Sequence, residues 1–276
     1  MAGFLSPCEI CQKVEETSKQ KASLPMRSLI VLGILAGVYI GFGAELSTMV
    51  THDLAKYMGV GFSKFIAGSV FSVGLMLVVI GGAELFTGNC LMLGCRMQRN
   101  IKTGGLLRNW SIVYLANFAG SLLLVAIMYY SGLWKLGQLG VGAEALKIAN
   151  AKVNLPFVEA LCRGVGCNWL VCLAVWLAVA GQDIGGKILG IYFPIMAFVA
   201  SGFEHSIANM YFIPMGLLLK SNQAVAGAAG LSGNLAELTW SSFLLHNLLP
   251  VTIGNIVGGG LFVAGAYCLA FRHHKN

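Results

Sequence analysis

Six long apolar runs separated by short polar connections dominate the chain, at residues 29–50, 65–95, 110–130, 157–179, 188–219 and 248–271. About 20 helical residues cross a hydrocarbon core roughly 30 Å thick, so the pattern predicts an all-α membrane protein with six transmembrane helices. The second and fifth runs hold 31 and 32 residues and overshoot that thickness by a third or more. Each of them must tilt steeply or break.

Both overlong runs carry their polar residues in the latter half, in corresponding order. "GAELFTGN" places Gly82, Glu84 and Asn89 in the pattern G-x-E-x4-N, and "GFEHSIAN" repeats it with Gly202, Glu204 and Asn209. The following runs agree: Asn109, Asn117 and Gly120 share the spacing of Asn247, Asn255 and Gly258. The reading is two three-span halves, about 28–133 and 155–271. An odd number of spans per half turns the second over, which gives an inverted 3+3 repeat with two broken helices facing each other near mid-membrane. Non-helical backbone is tolerated at that depth only inside protein or along a wet cavity, so the breaks mark a solute path. Gly81, Gly82 and Gly88 ease the first break and Gly202 the second. Glu84 and Glu204 read as structural carboxylates that accept hydrogen bonds from backbone amides freed there, since a carboxylate beside a passing anion repels it. Gly33, Gly37 and Gly41 form a small-residue ladder for close helix approach, within a protomer or between protomers.

Composition narrows the function. The chain is 57% hydrophobic and 11% charged, against about 25% charged in soluble domains. Its net charge of +7 is distributed by topology. Eleven cations flank the side that carries both termini and six the other, which predicts cytoplasmic termini in an inner (cytoplasmic) membrane; no basic stripe with interleaved aromatics suggests nucleic acid. Residues 1–27 are polar, unlike a cleaved signal, and read as an amphipathic segment that anchors at the surface or covers a pore mouth. Residues 272–276 read as a cytoplasmic tail. Cys8 and Cys11 form one C-x2-C without a second half and are taken as helix neighbours rather than a zinc site; no metal and no cofactor is expected.

With "LAGVYIGFG", "GAELFTGN", "CNWLVCLAVW", "ASGFEHSIANMYFIPMG" and "NLLPVTIGNIVGGG" in order along nearly the whole length, the chain resembles the formate/nitrite transporter family of small-anion channels. The resemblance implies an aquaporin-like protomer, a homopentamer in the lipid bilayer, and one pore per protomer for small monovalent anions: formate, nitrite, hydrosulfide, in some members lactate. It also implies site residues. The first break carries Leu85, Phe86 and Thr87, with Thr87 approaching His205 and Asn168 near that pair; Leu75 and Phe198 form the apolar constriction, Phe71 an outer narrowing, and Lys152 the outer vestibule.

The chemistry of these residue types is consistent with that assignment. A bare anion faces a barrier of many kcal/mol between Leu and Phe side chains, and a neutral acid much less. Lys152, exposed at the mouth, concentrates anions; His205, with a reference pKa near 6.5, exchanges protons. "ANMYFIPMG" favours formate, with hydrosulfide and nitrite as alternatives. No Asn-Pro-Ala pair supports a water channel, and a single deep histidine does not suit an ammonium channel. A membrane-bound oxidoreductase, the alternative of another class, needs paired axial histidines, for which His205 and the edge residue His246 are the candidates.

Overall fold

A computed structural model describes residues 3–271. Helix α1 (Pro7–Ser23) begins at a capping box, in which Ser6 and Glu9 each satisfy the other's backbone amide. Pro25 then caps α2 (Met26–Thr51), which turns at His52 into α3 (Leu54–Gly81). The second apolar run ends in two short pieces, α4 (Phe86–Asn89) and α5 (Met92–Met97), followed by α6 (Thr103–Ser131). Next come α7 (Gly140–Val153), α8 (Phe157–Ala180, capped by Pro156), α9 (Ile184–Ala200), α10 (Ser206–Leu219) and α11 (Gln223–Ala229). The last long helix, α12 (Ser242–Ala270), contains π-helical stretches over Ser242–Leu248 and Ile256–Gly265.

Among the described residues, five helices, α2, α3, α6, α8 and α12, are long and apolar enough to cross a membrane. The overlong runs break rather than tilt. The fifth divides into α9 and α10, each too short to span alone, and the second into α3 and the pair α4 and α5. Helix α3 also starts eleven residues before the apolar run does, because glycine and serine at 59–63 dilute hydropathy without stopping the helix; Gly59, at φ 79, only kinks it.

The glycine ladder of α2 is used within the chain. A Cβ at Gly33 would strike Ala116, one at Gly37 the Asn117 carbonyl, and one at Gly41 the Leu124 side chain, so α2 and α6 touch almost backbone to backbone. Gly164, Gly254 and Gly258 do the same for α8 and α12. Leu115, Leu123, Ile127 and Phe193 remain exposed on the outer faces, as suits a multi-pass membrane protein whose surroundings are apolar.

Candidate functional site

The two breaks are built alike. Gly82 (φ 84) ends α3, the Ala83 amide returns to the Val78 carbonyl (2.8 Å), and Leu85 runs extended into α4. Gly202 (φ 75) follows α9, the Phe203 amide returns to the Phe198 carbonyl (3.1 Å), and His205 runs extended into α10. A left-handed residue at each turn is where glycine carries no Cβ penalty.

The freed backbone groups are met by two asparagines. Asn117 Oδ1 accepts from the Phe86 amide (3.0 Å), and its Nδ2 donates to the carbonyls of Gly33 (2.8 Å) and Glu84 (2.9 Å). Asn255 treats the Ser206 amide (2.9 Å) and the carbonyls of Gly164 (2.8 Å) and Glu204 (3.0 Å) identically. The sequence expectation for Glu84 and Glu204 is corrected here: their carboxylates meet side-chain donors, not backbone amides. Glu84 accepts from Asn89 Nδ2 (2.7 Å) and Lys21 Nζ (2.5 Å); Glu204 accepts from Asn209 Nδ2 (2.7 Å) and Lys152 Nζ (2.8 and 3.0 Å). Asn89 also donates to Asn109 (2.9 Å) and Asn209 to Asn247 (2.7 Å). A buried carboxylate is expensive unless paired, and both are paired with a lysine.

Lys152 is therefore not a solvated loop cation. It sits on α7 with its side chain 15% exposed, held by Glu204 and lying 5.3 Å from the Phe212 ring centroid. Lys21 is its counterpart, and sequence reasoning counts it only among the cations that set topology, although covering a pore mouth was one of the two readings of residues 1–27. The signal was present: Lys21, Pro25 and Gly33 have the spacing of Lys152, Pro156 and Gly164.

The breaks meet where Thr87 Oγ1 lies 2.9 Å from His205 Nε2. The Ala208 amide donates to His205 Nδ1 (3.0 Å), so the neutral ring carries its proton on Nε2 and donates it to Thr87. Asn168 Nδ2 donates to the Thr87 carbonyl (3.1 Å) and the Asn255 carbonyl (2.7 Å), fixing one break against the other. Cys172, one turn further along α8, also contacts the Thr87 carbonyl (3.4 Å).

Two cavities approach this junction from different sides, one reaching Leu85 and Gly88 beside Thr87 and the other reaching His205 itself. One, of about 410 Å³, is lined by Lys21, Glu84, Leu75 and Leu85 and is overlain by α1. The other, of about 250 Å³, is lined by Lys152, Glu204, Phe71, Phe198 and His205. Phe198 stacks on His205 at 5.9 Å and Phe71 meets Phe198 edge-on at 5.6 Å, so apolar side chains close the floor. Phe86 departs from its expected place. It turns away from both cavities and packs on Trp110 and Tyr114. His246 lines a separate outer pocket with Phe157 and Glu237, so it does not pair with His205. Glu45, which sequence reasoning passed over, hydrogen-bonds the Tyr211 hydroxyl.

An all-helical membrane protein with two cavities facing a shared apolar closure belongs to the class of solute channels and transporters. Comparison makes the assignment specific. The family model described as "Formate/nitrite transporter" matches residues 8–269, and the chain belongs to the formate/nitrite transporter family. It is 42% identical to the "Probable formate transporter" of Methanothermobacter thermautotrophicus, over 96% of this chain and 97% of that one. It is 37% identical to the "Formate channel FocA" of Escherichia coli strain K12, over 99% and 96%. A solved "Pentameric formate channel with formate bound" superposes with a TM-score of 0.80 at 36% identity, covering 90% of this chain and 98% of that chain.

Proposed function

We propose that this protein passes small monovalent weak-acid anions, formate first, across the cytoplasmic membrane, through one pore in each protomer of a homopentamer with cytoplasmic termini. The observation that carries the reading is the Thr87–His205 hydrogen bond at an apolar closure with a lysine-bearing cavity on either side. Each lysine draws anions inward, while its glutamate partner keeps the buried charge balanced. The two matched break networks support the inverted 3+3 arrangement.

Between Leu75 and Leu85 on one side and Phe71 and Phe198 on the other, an anion finds no replacement for its water, so the species that crosses is the protonated, neutral acid. His205 exchanges the proton. At rest its Nδ1 is occupied by the Ala208 amide, so taking up a proton there requires that bond to open at the first turn of α10. Proton exchange is thus coupled to a small rearrangement at the second break. Formate leads because the named relatives are formate proteins; hydrosulfide and nitrite have the same charge and weak-acid character and are the alternative cargo.

The test is flux of formate, nitrite and hydrosulfide into proteoliposomes at two pH values, for the native protein and for His205→Asn. The native protein should carry formate fastest, with a pH dependence that His205→Asn removes. A variant with an unchanged profile takes histidine out of the mechanism, and a native protein that carries none of the three refutes the reading.

A further inference from the structure

Glu144 has no role in the pathway described above. It lies in the second turn of α7, and with Ile148 and Lys152 it forms one stripe at i, i+4 and i+8 that lines the 250 Å³ cavity. The Glu144 side chain is 28% exposed, against 15% for Lys152 and 5% for Glu204, so its carboxylate stands on the more open side of the Lys152–Glu204 pair. That carboxylate is held differently from Glu84 and Glu204. It accepts no hydrogen bond from any described residue; its nearest cation is Lys147 Nζ at 3.9 Å, itself half exposed.

We infer that Glu144 is the entry filter of this cavity: ionised, it repels incoming anions; protonated, it lets them reach Lys152. The inference rests on the anion-channel reading and adds to it a regulating residue at the mouth. A fixed charge in a narrow, partly dry opening acts on the local anion concentration, and removing it changes the rate of entry without touching the closure at His205.

The surroundings of Glu144 favour its neutral form relative to a free carboxylate. Burial raises its pKa above the usual carboxylate range, opposed by Lys147 on its own helix and by His52 and Lys56 at the junction of α2 and α3. Lys64 of α3 lines the same cavity, and Lys152 and Glu204 form a closed pair at its floor. Helices α10 and α11, which also pack on α7, carry no charged residue within their lengths. Lys135, before α7, lies over Trp134, and His246 faces a different pocket. Because the folded pKa is raised, the neutral form appears as pH falls towards that raised value, and anion entry rises over the same interval.

The experiment compares initial formate uptake into proteoliposomes by the full-length native protein, Glu144→Gln and Glu144→Asp, at pH 7.5 and 5.5, in low and high salt. Glu144→Gln should take up formate severalfold faster than the native protein at pH 7.5 in low salt. High salt, which shortens the Debye length, should shrink that gain, and at pH 5.5 the gain should be smaller than at pH 7.5. Glu144→Asp, which keeps the charge, should follow the native profile. Native and Gln proteins with equal uptake at pH 7.5 in low salt, or a gain as large at pH 5.5 as at pH 7.5, would overturn the inference while native uptake left the channel reading standing. No uptake by the native protein would overturn both. Size-exclusion profiles and a histidine-dependent pH response retained in Glu144→Gln confirm that the variant is folded and that its closure is intact.

Discussion

Asn255 offers the sharpest test of how the second break is held. Replacing it with alanine removes the acceptor of the Ser206 amide and the donors to the Gly164 and Glu204 carbonyls, at 2.9, 2.8 and 3.0 Å. The residue is fully buried, so no water stands ready to substitute. A buried polar group left without a partner costs about 1–3 kcal/mol, which gives about 3–9 kcal/mol for three before relaxation. At roughly 2–4 °C per kcal/mol for a chain of this size class, the melting temperature of detergent-purified Asn255→Ala should fall by at least about 6 °C, or the protein should fail to assemble. Asn117→Ala removes the same three bonds from the first break and should lose a comparable amount, whereas exposed Asn154→Ala should stay within about 1 °C, as surface substitutions usually do. Fluorescence-detected size exclusion after a heating series reads all three. An Asn255→Ala protein that melts with the native one would show that the break is held by something other than this asparagine.

Further outcomes follow from the same contacts. Glu204→Gln leaves the Lys152 ammonium without its anionic partner, a loss of about 3–5 kcal/mol for a buried pair broken on one side; the double variant Glu204→Gln with Lys152→Met should recover part of that stability in the same heating assay, and no recovery would argue against the pair. Gly37→Val forces a side chain into the Asn117 backbone and should abolish monodisperse protein, whereas tolerance would mean that α2 and α6 can part. Lys21→Met should slow formate entry from the α1 side at low ionic strength, as read by uptake into oriented vesicles, and unchanged uptake there would remove its attracting role.

The all-helical, apolar character was legible because apolar length is a local property, and the breaks because G-x-E-x4-N occurs twice. What the asparagines do was not legible. Asn117 and Asn255 were visible as a matched spacing, but which backbone groups they satisfy depends on where α2 and α8 cross them. For the same reason the glutamates were assigned the wrong donors: Lys21 and Lys152 lie 63 and 52 residues from their partners in sequence. Phe86 is grouped with the pore residues by its neighbours in the motif, whereas its packing on Trp110 and Tyr114 follows from contacts with α6 that the motif does not contain. The charge of Lys152 reads as solvated when only the chain around it is considered, and its burial follows from the fold.

The two breaks place their capping positions in equivalent settings, yet one is Leu85 and the other His205. The hydrogen bonding of the two breaks is matched and the residue at the cap is not. An acid jump applied on the Lys152 side reaches the imidazole through its own vestibule, and the same jump on the α1 side meets leucine first. Traffic in the two directions should therefore answer unequally to acidity, although the two breaks are hydrogen-bonded alike.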